Sequence, residues 1–361
     1  MKIDLKNLGL SEIESYLIKR NLPKFRGIQI FQWIMRDVTD INEMTDLPKS
    51  MINNLKEDFI IYRSEILSKQ ISMIDGTIKY LFAMEDGNAI EAVFMDYKHG
   101  NSLCISTQAG CRMDCKFCAS GVNGLDRNLT AGEMLEQILA VQRDTGKRVD
   151  SLVLMGTGEP FDNYLNVVKF IRNIIHPKGI NLGQRHITVS TSGIIPAILE
   201  FAEENLQCNL AVSLHNPFDS ERSEIMPINK KYNVEILIEA CREYAEKTHR
   251  RVTFEYALIK DKNDGERHAR ELAKLLKGML CHVNLIPVNN VVEADFSKSS
   301  PEDIRSFADI LESHGISTTV RRELGADIDA ACGQLRLKAN NLVTGGTDDI
   351  CCKNRHGSQK N

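Results

Sequence analysis

The chain has 361 residues, of which 42% are hydrophobic and 26% charged, and ten are cysteines. That composition fits an ordinary globular protein with room for one large α/β domain and a small appendage. It holds no apolar run near the ~18 residues needed to span a bilayer, and no signal-peptide h-region is read in its first residues. The formal net charge of −4 speaks against an extended nucleic-acid face while leaving room for a local basic patch.

Residues 1 to 60 read as a helical accessory domain. Leu10, Ile13, Leu17 and Ile18 recur at helical spacing behind Ser11, expected as an N-cap with Glu14 completing a capping box. Ile28, Phe31, Trp33, Ile34 and Met35 form a second apolar stripe; Met44, Leu47, Met51, Ile52 and Leu55 form a third, broken by Pro48. Between the first two lies a basic turn with Lys19, Arg20, Lys24 and Arg26 around Phe25, either a solvated helix end or a phosphate-contacting corner. From about Ser68 the period becomes two. Tyr80–Met84 and Ala89–Phe94 flank the turn Glu85-Asp86-Gly87-Asn88, so residues 61 to 98 are expected as a β-hairpin linker. Glu91 is a lone acid inside that apolar strand.

Residues 102 to 120 carry Cys104, Cys111, Cys115 and Cys118, just after an alternating strand-like run. Clustered thiolates favour iron–sulfur clusters, zinc or copper(I). Three ligands, unlike four, would leave one iron open to a substrate or cosubstrate. The spacing of Cys111, Cys115 and Cys118, with Phe117 before the last, resembles the cluster loop of the radical S-adenosylmethionine (SAM) superfamily. A structural zinc site completed by Cys104 is the alternative.

Beyond this loop strand and helix alternate. Strands are expected at Leu103–Ser106, Ser151–Met155, His186–Ser190, Asn209–Ser213, Val252–Leu258, His282–Ile286 and Ser317–Val320. Helices are expected at Ala131–Thr145, Leu165–Ile175, Val234–Ala245, Glu266–Leu276 and Pro301–His314. The pattern predicts a parallel sheet over residues 99 to 338. No G-x-G-x-x-G follows its first strand, so a partial (βα) barrel is favoured over a flat Rossmann sheet. Residues 339 to 361 read as a polar, disordered tail in which Cys351 and Cys352 have no assigned role. In such a barrel the active site lies at the carboxyl ends of the strands. There the sequence places Gly156–Pro160, Ser190–Gly193, Ser213–His215, Pro287–Asn289 and, after the last strand, Cys332.

These stretches, with Met226–Tyr232, Asn284–Pro287 and Asp327–Leu335, resemble in order and spacing the radical-SAM adenine-C2 RNA methyltransferases of the RlmN type. The resemblance runs over roughly residues 90 to 335. It implies a [4Fe–4S] cluster held by Cys111, Cys115 and Cys118. It also implies SAM held by Gly158, Glu159, Ser190, Ser213, Leu214, His215 and Asn289, with Glu91 as proton acceptor. Carbon 2 of adenine is an electrophilic amidine carbon, so direct attack on the methyl of SAM cannot alkylate it. The family's solution uses two SAM molecules per turnover. By resemblance, Cys332 takes a methyl from the first as a thiolate, a radical derived from the second activates that methyl, and the carbon adds to the base. Cys104 then releases methyladenine from the covalent adduct by forming a disulfide with Cys332. Implied substrates are 23S rRNA and tRNA (the adenosine 3′ of the anticodon), with a flavodoxin- or ferredoxin-type electron donor, a monomeric state and no membrane partner. Ten cysteines in such a chain indicate a reducing, cytoplasmic setting. Pro160, Ser192 and Pro287 favour the C2 type over its relative that methylates carbon 8; a zinc-bound, non-catalytic RNA-binding protein is the rival of another class.

Overall fold

The structure is a computed structural model that describes residues 2–287, 297–322 and 324–328. Asn289, Cys332 and the segment 339–361 with Cys351 and Cys352 lie outside the described residues.

The front end contains β1 (Ile3–Asp4), α1 (Leu10–Lys19), α2 (Arg26–Met35), α3 (Lys49–Asp58) and β2 (Phe59–Ile60), with β1 and β2 paired in parallel. Helix α1 begins two residues earlier than the expected Ser11 cap. Its N-cap is Gly9, and Glu12, not Glu14, reaches back to accept from the Gly9 N–H at 2.8 Å. Ile13 and Leu17 of this helix are buried. The front end is not a separate lobe. Lys6, buried, pairs with buried Glu136, and Asn7 Oδ1 accepts from the Gly132 N–H at 2.8 Å. Its apolar stripes join one continuous core that runs from Leu5 to Ile316.

Next come β3 (Glu65–Ile71), β4 (Ile78–Ala83), β5 (Ala89–Tyr97) and β6 (Gly100–Cys104), all antiparallel, then the small β7–β8 hairpin (Gln108–Gly110, Leu125–Asn128). Alternation follows: α4 (Ala131–Thr145), β9 (Ser151–Leu154), α5 (Tyr164–Ile175), β10 (Ile187–Thr191), α6 (Ile195–Glu203), β11 (Asn209–Ser213), α7 (Asp219–Ile225), α8 (Val234–Thr248), β12 (Val252–Leu258), α9 (Glu266–Leu276), β13 (Cys281–Pro287), α10 (Pro301–Ser313) and β14 (Thr318–Val320). Thr130 caps α4, accepting from the Glu133 N–H while Glu133 accepts from Thr130.

One ten-stranded sheet has the order β14-β13-β12-β11-β10-β9-β6-β5-β4-β3. From β6 through β14 the strands are parallel and follow the chain without reversal. Right-handed crossovers in such a succession put every helix on one face, and the other face is buried by curling. A doubly wound sheet would instead reverse its order at a switch point. This strand order is that of the partial (βα) barrel expected from the alternation of strand and helix. The residues 61 to 98 expected as a linker are part of it: β5 pairs with β6 from Val93↔Cys104 to Tyr97↔Gly100, so the hairpin extends the sheet. Among the described residues, no helix is long and apolar enough to cross a membrane.

Candidate active site

The Cys111–Cys118 loop sits between β7 and β8, at the carboxyl end of β6. The Cys111 N–H donates to Gly124 O at 2.8 Å and the Cys118 N–H to Cys115 O at 3.0 Å, a tight fold that turns through Asp114 at φ +51°. Cys111 is buried; Cys115 and Cys118 are half-buried. Burial pushes the Cys111 thiol up to about 12, against a lesser downward pull from the Met113 amide, and it raises Cys115 as well. As bare thiols these groups would be protonated, and their ionisation needs a cation among them. A soft three-thiol set fits an iron–sulfur cluster with one iron open to a further ligand.

Facing the loop, residues Gly156–Pro160 leave β9. A Cβ on Gly156 would lie 2.6 Å from the carbonyl of Ile105, and one on Gly158, whose φ is +109°, would lie 2.6 Å from Gln108 Cβ. Glycine here lets the β9 loop lie flat against the strand before the cysteines. Glu159 is buried, and its carboxylate is committed: Oε1 accepts from the Phe161 N–H at 3.0 Å and Oε2 from the Ser192 N–H at 2.7 Å. Burial raises its pKa, and these two donors oppose the rise. The Glu159 side chain therefore ties the β9 and β10 loops together, so a ligand would meet the backbone at Gly158–Glu159 more readily than the carboxylate. Gly158→Ala is expected to lower stability by roughly 2–5 kcal/mol through combined clash and backbone strain. Chemical denaturation measures this, and an unchanged midpoint would mean the loop relaxes freely.

Ser190 and Ser213, both half-buried, lie near the ends of β10 and β11, followed by buried Leu214 and His215. His215 has φ +58°, and its Nδ1 accepts from the Ala257 N–H at 2.9 Å. Burial pulls its pKa down to about 3, so the ring is neutral at physiological pH. Its ring packs edge-to-face with Phe117 from the cysteine loop, with centroids 4.6 Å apart.

Sequence reasoning missed Arg222, on α7. It is fully buried, and its guanidinium donates to Leu214 O (3.0 Å), Ser192 O (2.8 Å), Ser213 O (3.0 Å) and Asn229 Oδ1 (2.7 Å). An arginine in DSERSEI reads as a solvated helix charge; only the packing of α7 beneath the strand ends buries it.

Of the expected catalytic residues, Cys104 and Glu91 fall among the described residues. Cys104, at the end of β6, is buried among Val93, Met95, Val153 and Met155, and Leu324 and Ile328 of the carboxyl-terminal segment close the group. That segment is held at the β3–β4 turn, where Asp327 Oδ2 accepts from the Met73 N–H and Asp75 Oδ2 from the Gly325 N–H, both at 2.9 Å. Glu91 shares a face of β5 with Val93 and Met95, because side chains alternate along a strand. Glu91 and Cys104 therefore belong to the same side of the sheet. Glu91 does not face water: it is buried, with Oε1 3.1 Å from Lys79 Nζ.

Comparison with known proteins agrees with this arrangement. The profile described as "Radical SAM superfamily" matches residues 105–273, and that of the "Ribosomal RNA large subunit methyltransferase N-terminal domain" matches residues 3–61. The chain is 56% identical to the "Probable dual-specificity RNA methyltransferase RlmN" of Alkaliphilus oremlandii, over 93% of this chain and 98% of that one. To the protein of the same description from Clostridium tetani it is 51% identical, over 93% and 96%. It superposes on the crystal structure of a radical SAM methyltransferase from Sphaerobacter thermophilus with a TM-score of 0.87 at 45% identity, covering 92% of this chain and 99% of that one. Similarity this high, sustained over nearly the full length of each relative, places the chain in the RlmN family of the radical SAM superfamily.

Proposed function

We propose that this protein methylates carbon 2 of adenosine in 23S rRNA and in tRNA, where the target is the adenosine 3′ of the anticodon. The observation that carries the proposal is the near-complete overlap with dual-specificity RNA methyltransferases, which takes in the cysteine loop and the front end alike. When bound, a [4Fe–4S] cluster and two SAM molecules per turnover supply a methyl group and the radical chemistry that activates it.

The chain's residues do the rest. Cys111, Cys115 and Cys118 hold the cluster. The backbone of Gly158–Glu159, with Ser190, Ser213, Leu214, His215 and Asn289, seats SAM. Cys332 accepts the methyl as a thiolate and carries it to the base. Glu91, with Lys79 Nζ 3.1 Å from its Oε1, removes the carbon-2 proton. Cys104 attacks the Cys332 sulfur; the sulfur–carbon bond breaks, and the methylene leaves with the electron pair and is protonated to methyl. Ile328 packs with Cys104. We further propose a flavodoxin- or ferredoxin-type electron donor, a monomeric state and a cytoplasmic site of action.

Nucleoside mass spectrometry of RNA treated with the anaerobically reconstituted protein tests the function. 2-Methyladenosine is expected; 8-methyladenosine or unmodified RNA would overturn it.

The front end is proposed to contact RNA. Lys19, Arg20 and Lys24 are exposed, but Arg20 pairs with Asp58 and Glu57, Lys24 with Glu14 at 3.2 Å, and Arg26 donates to Asp46 O at 2.9 Å. These partners damp the local potential. Reversing the four basic charges should weaken RNA binding and flatten its dependence on log[salt] by about 0.7–0.9 for each phosphate no longer neutralised, with fewer than four phosphates involved. An unchanged slope would leave this segment as a structural cap.

A further inference from the structure

We propose that Arg222 is a positioning residue that keeps the SAM seat and the cluster loop in register. This rests on the cofactor reading above and goes beyond it, because no side chain has been given that task.

Arg222 has a link to each half. On one side its planar fork binds Ser192 O, Ser213 O and Leu214 O, the backbone at the tips of two neighbouring parallel strands, β10 and β11. Those tips carry the residues proposed to seat SAM. On the other side, α7 continues from Arg222 to Ile225, whose carbonyl accepts from the Lys116 N–H at 2.9 Å, between Cys115 and Cys118. The Phe117–His215 ring contact closes the same gap from above. The loop and the strand tips are thus joined through one short helix and one guanidinium.

The charge also argues against simple packing. None of the four acceptors of Arg222 carries a full charge. Asn229 turns its oxygen to Nη1 and its Nδ2 to Asp219 Oδ1 at 2.8 Å, so an acid is reached only through an intervening amide. A buried cation is costly to desolvate where an apolar side chain would fill the space. Burial draws its pKa down only to about 10, so it stays charged at neutral pH. Only a fork with donors on three nitrogens can serve three carbonyls and an amide at once; lysine, a point donor, cannot.

The test compares wild type, Arg222→Lys and Arg222→Gln after anaerobic reconstitution. Iron per chain, SAM affinity by equilibrium dialysis, and the SAM-induced change in the electron paramagnetic resonance spectrum of the dithionite-reduced protein are measured. Wild-type iron content with SAM affinity reduced at least about tenfold, and a weakened spectral change, is expected in both variants. Wild-type affinity and spectral change in both would overturn the proposal. If neither variant folds, Asn229→Ala removes the Nη1 acceptor and leaves the three carbonyl bonds. It should lose roughly threefold or more in SAM affinity at unchanged iron, and wild-type affinity would overturn the proposal. Wild-type protein that takes up iron but shows no SAM-induced change would instead overturn the cofactor reading, and this inference with it.

Discussion

Replacing any one of Cys111, Cys115 and Cys118 with alanine is expected to abolish cluster assembly and all methylation. Three ligands have no spare, and the loop offers no obvious substitute: Asp114 is engaged by Lys116 at 2.6 Å, and Asp162 by Arg112 at 2.8 Å. The exposure of the positions separates secondary effects. Cys111 is buried, so alanine there also thins the packing around it, whereas Cys118 is half-buried and its replacement should leave folding nearly intact. Iron and sulfide quantitation after anaerobic reconstitution decides the matter. Full iron content in any of the three would refute the ligand set.

The second large effect separates Cys104 from Cys332. Cys332→Ala should leave no methyl on the protein and no attachment to RNA. Cys104→Ala should accept the methyl and couple to adenine, then stop, because nothing cleaves the bond between Cys332 and the RNA. That variant should accumulate protein covalently joined to RNA, seen on denaturing gels as a mass increase sensitive to nuclease. Cys104 packs in an apolar group away from the cysteine loop, so its alanine variant should keep its iron. Loss of iron there would make Cys104 a fourth ligand. Wild-type turnover by Cys104→Ala, or methylation by Cys332→Ala, would rule out the two-cysteine mechanism.

The elements best read from the sequence are those whose ends are set locally. Helices α4 and α9 and strands β11 and β12 fall on the expected residues: Thr130 caps α4, α9 begins just after Gly265, and the two strands are short apolar runs. Helix α6, Ile-Pro-Ala-Ile-Leu-Glu-Phe-Ala-Glu, was hidden because apolar residues lie nearly all around it. Helix α7 has seven residues, too few to show a stripe. The hairpin's membership of the sheet depends on β5 finding β6, a pairing that alternation within each strand does not encode. In the site, thiol spacing and the strand-end polar runs were legible from residue type. What Glu159 and Arg222 hold was not, since both act on backbone groups brought near only by the fold. Lys6 is similar: a lysine in a polar stretch gives no sign that it will be buried against Glu136.

That buried pair has a consequence for target choice. Lys6 with Glu136, and Asn7 with Gly132, rivet the front end to α4, whose chain leads directly into β9 and the loop at Gly156. If the front end grips RNA, it does so as a fixed jaw and not as a hook on a flexible tether. A tethered hook would bring many adenosines past the reacting centre and sort them poorly. A fixed jaw acts as a gauge: only an adenosine at one set distance from the gripped helix or loop can enter. Two RNAs as unlike as a ribosomal segment and an anticodon arm could then qualify by sharing that spacing, whatever their surrounding sequence.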